Sequence, residues 1–131
     1  MAGAWVEPKT WTSDPLTSSD MNEQIRDNLT FLKTNVALGP AEAVTVDGGV
    51  IIRNQTYHKV LGEGDAADNV DSITGGVEGD SIIIRPAGYA ITLKDGTGNL
   101  ELGADLVLAT DADHAMLICN EAGNWVKFLW V

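Results

Sequence analysis

From residue 41 onward the chain is cut into short apolar runs by clusters of Gly, Asp and Asn, and this punctuation limits the folds open to it more than any other feature. Residues 44–46 and 50–52 flank Asp47-Gly48-Gly49 and read as a tight hairpin. Residues 57–61 (YHKVL) read as a strand, and 62–80 read mostly as loop, with an apolar touch at Ile73. Residues 81–85 (SIIIR) are continuously apolar at their centre, which predicts a strand covered on both faces. Residues 89–94 precede the clearest turn, Asp95-Gly96-Thr97-Gly98-Asn99, with 100–102 as the returning strand. Runs at 106–109, 115–119 and 125–130 follow. This spacing predicts a mainly β fold, a small antiparallel β-sandwich or barrel over 41–131. There is no βα alternation and no exact internal repeat. In the last run Trp125, Lys127 and Leu129 alternate with Val126, Phe128 and Trp130. The second set is wholly apolar and is expected to face the core, tying the end of the chain into the sheet.

Ahead of the β region, residues 16–39 have helical spacing. Met21, Ile25, Leu29, Leu32 and Val36 build one apolar stripe. Thr17 is a good N-cap with Asp20 three residues on, Leu16 and Met21 occupy staple positions, and Gly39-Pro40 make a stop. The stripe is short for a coiled coil of its own, so it is expected to pack on the sheet and against other subunits together. Residues 1–15 form an extended arm, with Pro8 and Pro15 opposing helix. Trp5 and Trp11 need a surface to pack on, either as a strap on the chain's own domain or as an anchor in an intermolecular pocket.

Hydrophobic residues make up 44% of the 131, enough for a real core. The net charge is −11, with eight bases thinly spread, so no basic patch speaks for direct nucleic-acid binding. No apolar run approaches the length of a membrane span, and the first residues do not read as a secretory signal. The single cysteine, Cys119, sits in an apolar run and reads as core.

Enzyme chemistry finds little footing. His58 lies in a strand and His114 in a turn, and neither stands in a nucleophile or zinc motif, so both read as structural or surface residues. Asp65, Asp68 and Asp71 lack the spacing of a calcium loop and read as an ordinary acidic loop. Gly62, Gly64, Gly75 and Gly76 are not followed by Gly-Lys-Ser/Thr and make no phosphate loop. No catalytic residue, metal or cofactor is expected.

Two stretches carry a resemblance. The first runs through Trp11, Leu16-Thr17, Met21-Asn22, Ile25-Arg26-Asp27-Asn28-Leu29 and Phe31-Leu32-Lys33. The second runs through Tyr57-His58, Asp71-Ser72-Ile73, Gly75-Gly76, Gly79-Asp80, residues 82–85, Asp95-Gly96-Thr97-Gly98-Asn99 and Trp125. Together they resemble small virion structural proteins of tailed bacteriophages, of tail-fibre-like, minor structural or decoration type. The resemblance implies a non-enzymatic structural component, usually trimeric, with an N-terminal attachment segment and a displayed β domain. On that basis the expectation is a homotrimer at the virion surface, assembled in the host cytoplasm. Trp5 and Trp11 would anchor it to the major capsid or tail protein, and Met21, Ile25, Leu29 and Leu32 would lie at the subunit interface. A capsid cement and a short fibre fit equally. The alternative is a glycan- or host-surface-binding module of a tail fibre, with Tyr57, Tyr89 and Trp125 as its candidate aromatics.

Overall fold

The structure, a computed structural model, describes residues 6–7, 17–35 and 38–129. The chain divides into two units, Met1–Gly39 and Pro40–Val131. In the first, α1 (Ser18–Met21) runs into a π-helical segment (Asn22–Asp27) and then α2 (Asn28–Asn35). Its start is the expected capping box. The Thr17 hydroxyl accepts from the Asp20 N–H at 3.1 Å, and the Asp20 carboxylate accepts from the Thr17 N–H at 3.1 Å. Leu16 and Val36 lie outside the described residues.

The second unit is β throughout, as expected. Its strands are β1 (Glu42–Thr45), β2 (Val50–Ile52), β3 (Tyr57–Leu61), β4 (Asp68–Val70), β5 (Ser72–Thr74) and β6 (Ser81–Pro86). Then follow β7 (Ile91–Leu93), β8 (Leu100–Glu101), β9 (Leu106–Leu108), β10 (Ala115–Cys119) and β11 (Trp125–Leu129). They form a six-stranded sheet β1-β3-β6-β10-β11-β8, a pair β2-β5 and a three-stranded sheet β4-β7-β9.

The pairing departs from the expected antiparallel scheme. Most contacts are parallel: Glu42 lies beside His58, Val50 beside Ser72, His58 beside Ile84, Asp68 beside Ile91 and Leu100 beside Trp125. The chain winds, laying each turn beside the one before, and among the described strands antiparallel pairing enters with β9, β10 and β11, apart from an isolated bridge between Asp47 and Val50. The hairpin expected at 44–52 is a turn and nothing more. Asp47 and Val50 exchange both backbone hydrogen bonds at 3.0 Å around Gly48 and Gly49, whose φ values of +56° and +82° need glycine. Beyond that bridge β1 leaves for β3 and β2 for β5. The Gly49 carbonyl accepts from the Asp71 and Ser72 N–H groups, so the next turn of the chain takes up the group that would have continued a hairpin. Likewise β8 does not return to β7 but pairs with β11. The loop expected at 62–80 contains two short strands, β4 and β5.

The core is filled by inward aliphatic side chains such as Ile51, Val60, Ile73, Ile84 and Leu117, around Trp125, which is wholly buried. The last strand therefore faces the other way from the expected one. Trp125 stands opposite the buried Cys119 and Leu100. The register with β10 shifts between Met116 and Leu117, leaving Phe128 unpaired and 61% exposed. Val126 is half-buried, and Trp130 lies outside the described residues. On β6, Ile82 and Ile84 face the core while Ser81, Ile83 and Arg85 are half-buried on the outward face.

Candidate functional site

In the N-terminal unit the arm meets the helix through backbone groups. The Asn28 amide pairs with Val6 as a neighbouring strand would, its Oδ1 accepting from the Val6 N–H at 2.8 Å and its Nδ2 donating to the Val6 carbonyl at 3.1 Å. One helical turn earlier, Gln24 Nε2 donates to the Glu7 carbonyl at 3.2 Å. Asn28 is buried, and its Nδ2 also reaches the Gln24 carbonyl at 3.4 Å, which serves a backbone group at the π-helical turn. A carboxamide offers one donor and one acceptor in the geometry of a peptide, so this clamp reads extended backbone and not side-chain identity. Residues 6–7 are thus strapped to the helix of their own unit. Trp5 and Trp11 lie outside the described residues.

The helix presents a second face. Met21, Ile25, Leu29 and Leu32, expected at a subunit interface, are exposed by 41%, 47%, 60% and 42%. Four large apolar side chains on one helix forgo several kcal/mol of burial in this state, at about 1.5–3 kcal/mol for each one fully buried.

His58, Arg53 and Cys119 of the β unit serve the fold. His58 is wholly buried. Its Nε2 accepts from the Asn54 and Gln55 N–H groups, each at 3.3 Å, so Nδ1 carries the proton and donates to the Glu42 carbonyl at 3.3 Å. Burial lowers its pKa, against the raising effect of the Glu42 carbonyl. Arg53, which no motif flagged, is buried with Nε on the Ser81 carbonyl at 2.9 Å and Nη1 3.4 Å from the Asp80 carboxylate. Burial lowers its pKa and Asp80 opposes the shift. Cys119 is buried, and burial, with Asp80 adding, pushes its thiol up, away from nucleophilic character.

Many of the acids close turns. Asp68 accepts from the Glu63 and Asn69 N–H groups, both at 2.8 Å. Asp95 accepts from Leu102 and Gly103, at 2.7 and 2.8 Å. Asp113 accepts from Ala109 and Thr110, at 2.9 and 2.8 Å, and the Thr110 bond leads in holding its carboxyl below the usual range. Among the described residues no group of three or more His, Cys, Asp or Glu side chains is placed to hold a metal ion.

The aromatic candidates separate. Trp125 is buried with Nε1 donating to the Ile73 carbonyl at 3.1 Å, so it offers no platform to a ligand. Tyr57 is half-buried and stacks on His114, ring centres 6.0 Å apart and planes at 29°, with its hydroxyl 3.1 Å from His114 Nε2. The His114 Nδ1 lies 2.9 Å from the Ala112 carbonyl, so the Tyr57 hydroxyl is the donor to Nε2. Tyr89 is half exposed at 51%.

No family model, curated protein or solved structure matches this chain.

Proposed function

We propose that this protein is a non-enzymatic structural component of a tailed phage particle. It sits on the outer surface, associates with copies of itself as a trimer, and is attached through its N-terminal arm as a capsid cement or short fibre. The observation that carries the reading is the exposed stripe of Met21, Ile25, Leu29 and Leu32, a face that copies of the helix would bury against one another. The resemblance in residues 11–33 and 57–131 supplies the virion class, and His58, Asp95 and Asp113, committed to core and turns, agree with a structural role. The test is the native mass of the full-length protein by light scattering, beside I25D/L29D. A trimer that the double variant dissolves supports the reading. A stable, unchanged oligomer in the variant removes the helix from the interface. Mass spectrometry of purified particles of the phage carrying the gene tests the virion assignment, and absence from the particle overturns it.

A second reading, a glycan- or host-surface-binding module, rests on Tyr89, an exposed aromatic of the kind that stacks on sugar faces. Glycan-array binding that Tyr89→Ala abolishes would establish it. An array without signal would remove it.

A further inference from the structure

A sheet with one face on a core ordinarily turns polar residues to water on the other. The six-stranded sheet does not. On its outward face Tyr57, Ile83 and Met116 form one cross-strand row, and Ile118 and Val126 stand together in another, all five half-buried. Beside this apolar centre, Lys59 and Arg85 are direct partners on β3 and β6. Like charges in facing positions repel. Nothing relieves the repulsion: among the described residues neither cation has an ion-pair partner, and the Arg85 guanidinium donates to the Pro86 carbonyl at 3.1 Å. This holds in a chain with nineteen acids and eight bases. At the opposite edge of the same face, Glu101 on β8 is exposed beside Val126, one of its oxygens holding the Asn124 amide at 2.6 Å.

We propose that this face binds a second copy of the chain, apolar centre against apolar centre, with Lys59 and Arg85 of one copy meeting Glu101 of the next. The charge pattern selects this occupant. A simply acidic partner, nucleic acid included, would match the two cations and be repelled at Glu101, and a basic partner would meet the reverse. A copy of the same face carries both signs at opposite ends and is complementary to itself. A two-fold axis lying in the interface satisfies the pairing, and so does a closed ring of three. Because the chain is strongly negative, self-contact elsewhere on its surface is opposed, and the contact that forms is the one placing cations on anions. Five strands at ~4.8 Å and five residues at ~3.3 Å give a face of about 400 Å² per copy. A standard stable interface takes about 800 Å² from each partner, so association through this face alone depends on concentration and salt. The inference rests on the self-assembly part of the proposed function and not on the virion assignment.

The test is sedimentation of the full-length protein across micromolar concentrations at low and high salt. The proposal expects a concentration-dependent oligomer that K59E/R85E weakens about tenfold, that E101K weakens similarly, and that the triple variant K59E/R85E/E101K restores. These exposed or half-exposed positions tolerate charge, and circular dichroism checks that each variant is folded. Reversals that leave the mass unchanged, or a triple variant that stays dissociated, overturn the proposal. If I25D/L29D dissolves the oligomer while the reversals do not, assembly belongs to the helix alone and this face is not an interface between copies. A full-length protein that is monomeric throughout overturns both and points to another segment as the cover of the face.

Discussion

Asn99 offers the sharpest test of how the β unit holds its turns together. Among the described residues the strand pair β2-β5 has no third strand, and the Asn99 side chain closes the open side of β5 at Ile73. Asn99 Oδ1 accepts from the Ile73 N–H at 2.9 Å, and Asn99 Nδ2 donates to the Ile73 carbonyl at 2.7 Å. That carbonyl has a second donor, the Trp125 indole at 3.1 Å. Ile73 is 1% exposed, so water does not replace what is lost. Asn99→Ala leaves the Ile73 N–H without a partner while the carbonyl keeps its indole. A buried donor left unsatisfied costs about 1–3 kcal/mol, and the weaker Gly123 contact at 3.4 Å adds little. A loss of about 2 kcal/mol is expected, or roughly 1 M in the urea midpoint at an m of about 2 kcal/mol per M. Asn99→Asp separates the two bonds. It keeps the acceptor for the N–H but sets a carboxylate against the Ile73 carbonyl, and the charged form is disfavoured there. The folded-state pKa of the new acid is therefore raised. The variant is most stable where the acid is protonated and donates, below about pH 4, and it loses stability as pH rises through the raised value. Urea unfolding of wild type, N99A and N99D at pH 4 and pH 7, followed by far-ultraviolet circular dichroism, checks this. A loss in N99A under about 0.5 kcal/mol would refute the reasoning, since a surface-like site costs no more than that.

His58 predicts an acid-sensitive fold. Its folded pKa is lowered, chiefly by burial, so the unfolded chain takes up the proton first as pH falls below about 6.5, and stability declines by up to about 1.4 kcal/mol per pH unit. Comparing melting at pH 7.5 and 5.5 in wild type and His58→Phe tests it: the variant loses the pH dependence and is weaker at pH 7.5, with the Asn54 and Gln55 N–H groups unpartnered. Gly76→Ala places a methyl group on the Trp125 ring and is expected to cost about 1–3 kcal/mol of overpacking, read as a lowered urea midpoint; an unchanged midpoint would mean the ring has room to yield.

What the sequence disclosed and what it hid divide along the range of the interaction. The helix cap, the Gly48-Gly49 turn and most strand positions are set by residues a few places apart, and these were legible. Partner choice is set by contacts across dozens of residues. Val50–Ile52 reads equally well as a hairpin arm and as a rung beside Ser72–Thr74, and no repeat marks the winding because the loops between turns differ in length and composition. The last strand was ambiguous for another reason. Both its faces are largely apolar, and Lys127 weighed against the Trp125 face, yet Lys127 is exposed on that strand while Trp125 is buried. The helix stripe was legible as a pattern. The role of Asn28 was not, because a polar residue between apolar ones gives no sign that it will grip the backbone of Val6.

The same division bears on how charge is read. In the sequence Asp65, Asp68 and Asp71 read as an ordinary acidic loop without the spacing of a calcium site. Asp68, Asp95 and Asp113 instead close turns through backbone N–H groups, which uses the carboxylate as an acceptor and would serve a neutral chain as well. Acids spent in this way carry no information about a partner. The scarce cations do. Arg53 and Lys94 are paired within the β unit, with Asp80 and Asp105, and Arg26 pairs with its neighbour Asp27. Lys59 and Arg85 have no such pair among the described residues, and both stand on the outward face of the six-stranded sheet. An acidic chain that had only to stay soluble could satisfy or omit these cations. Their position on one face, beside the apolar rows and across from Glu101, is what the proposed contact between copies rests on.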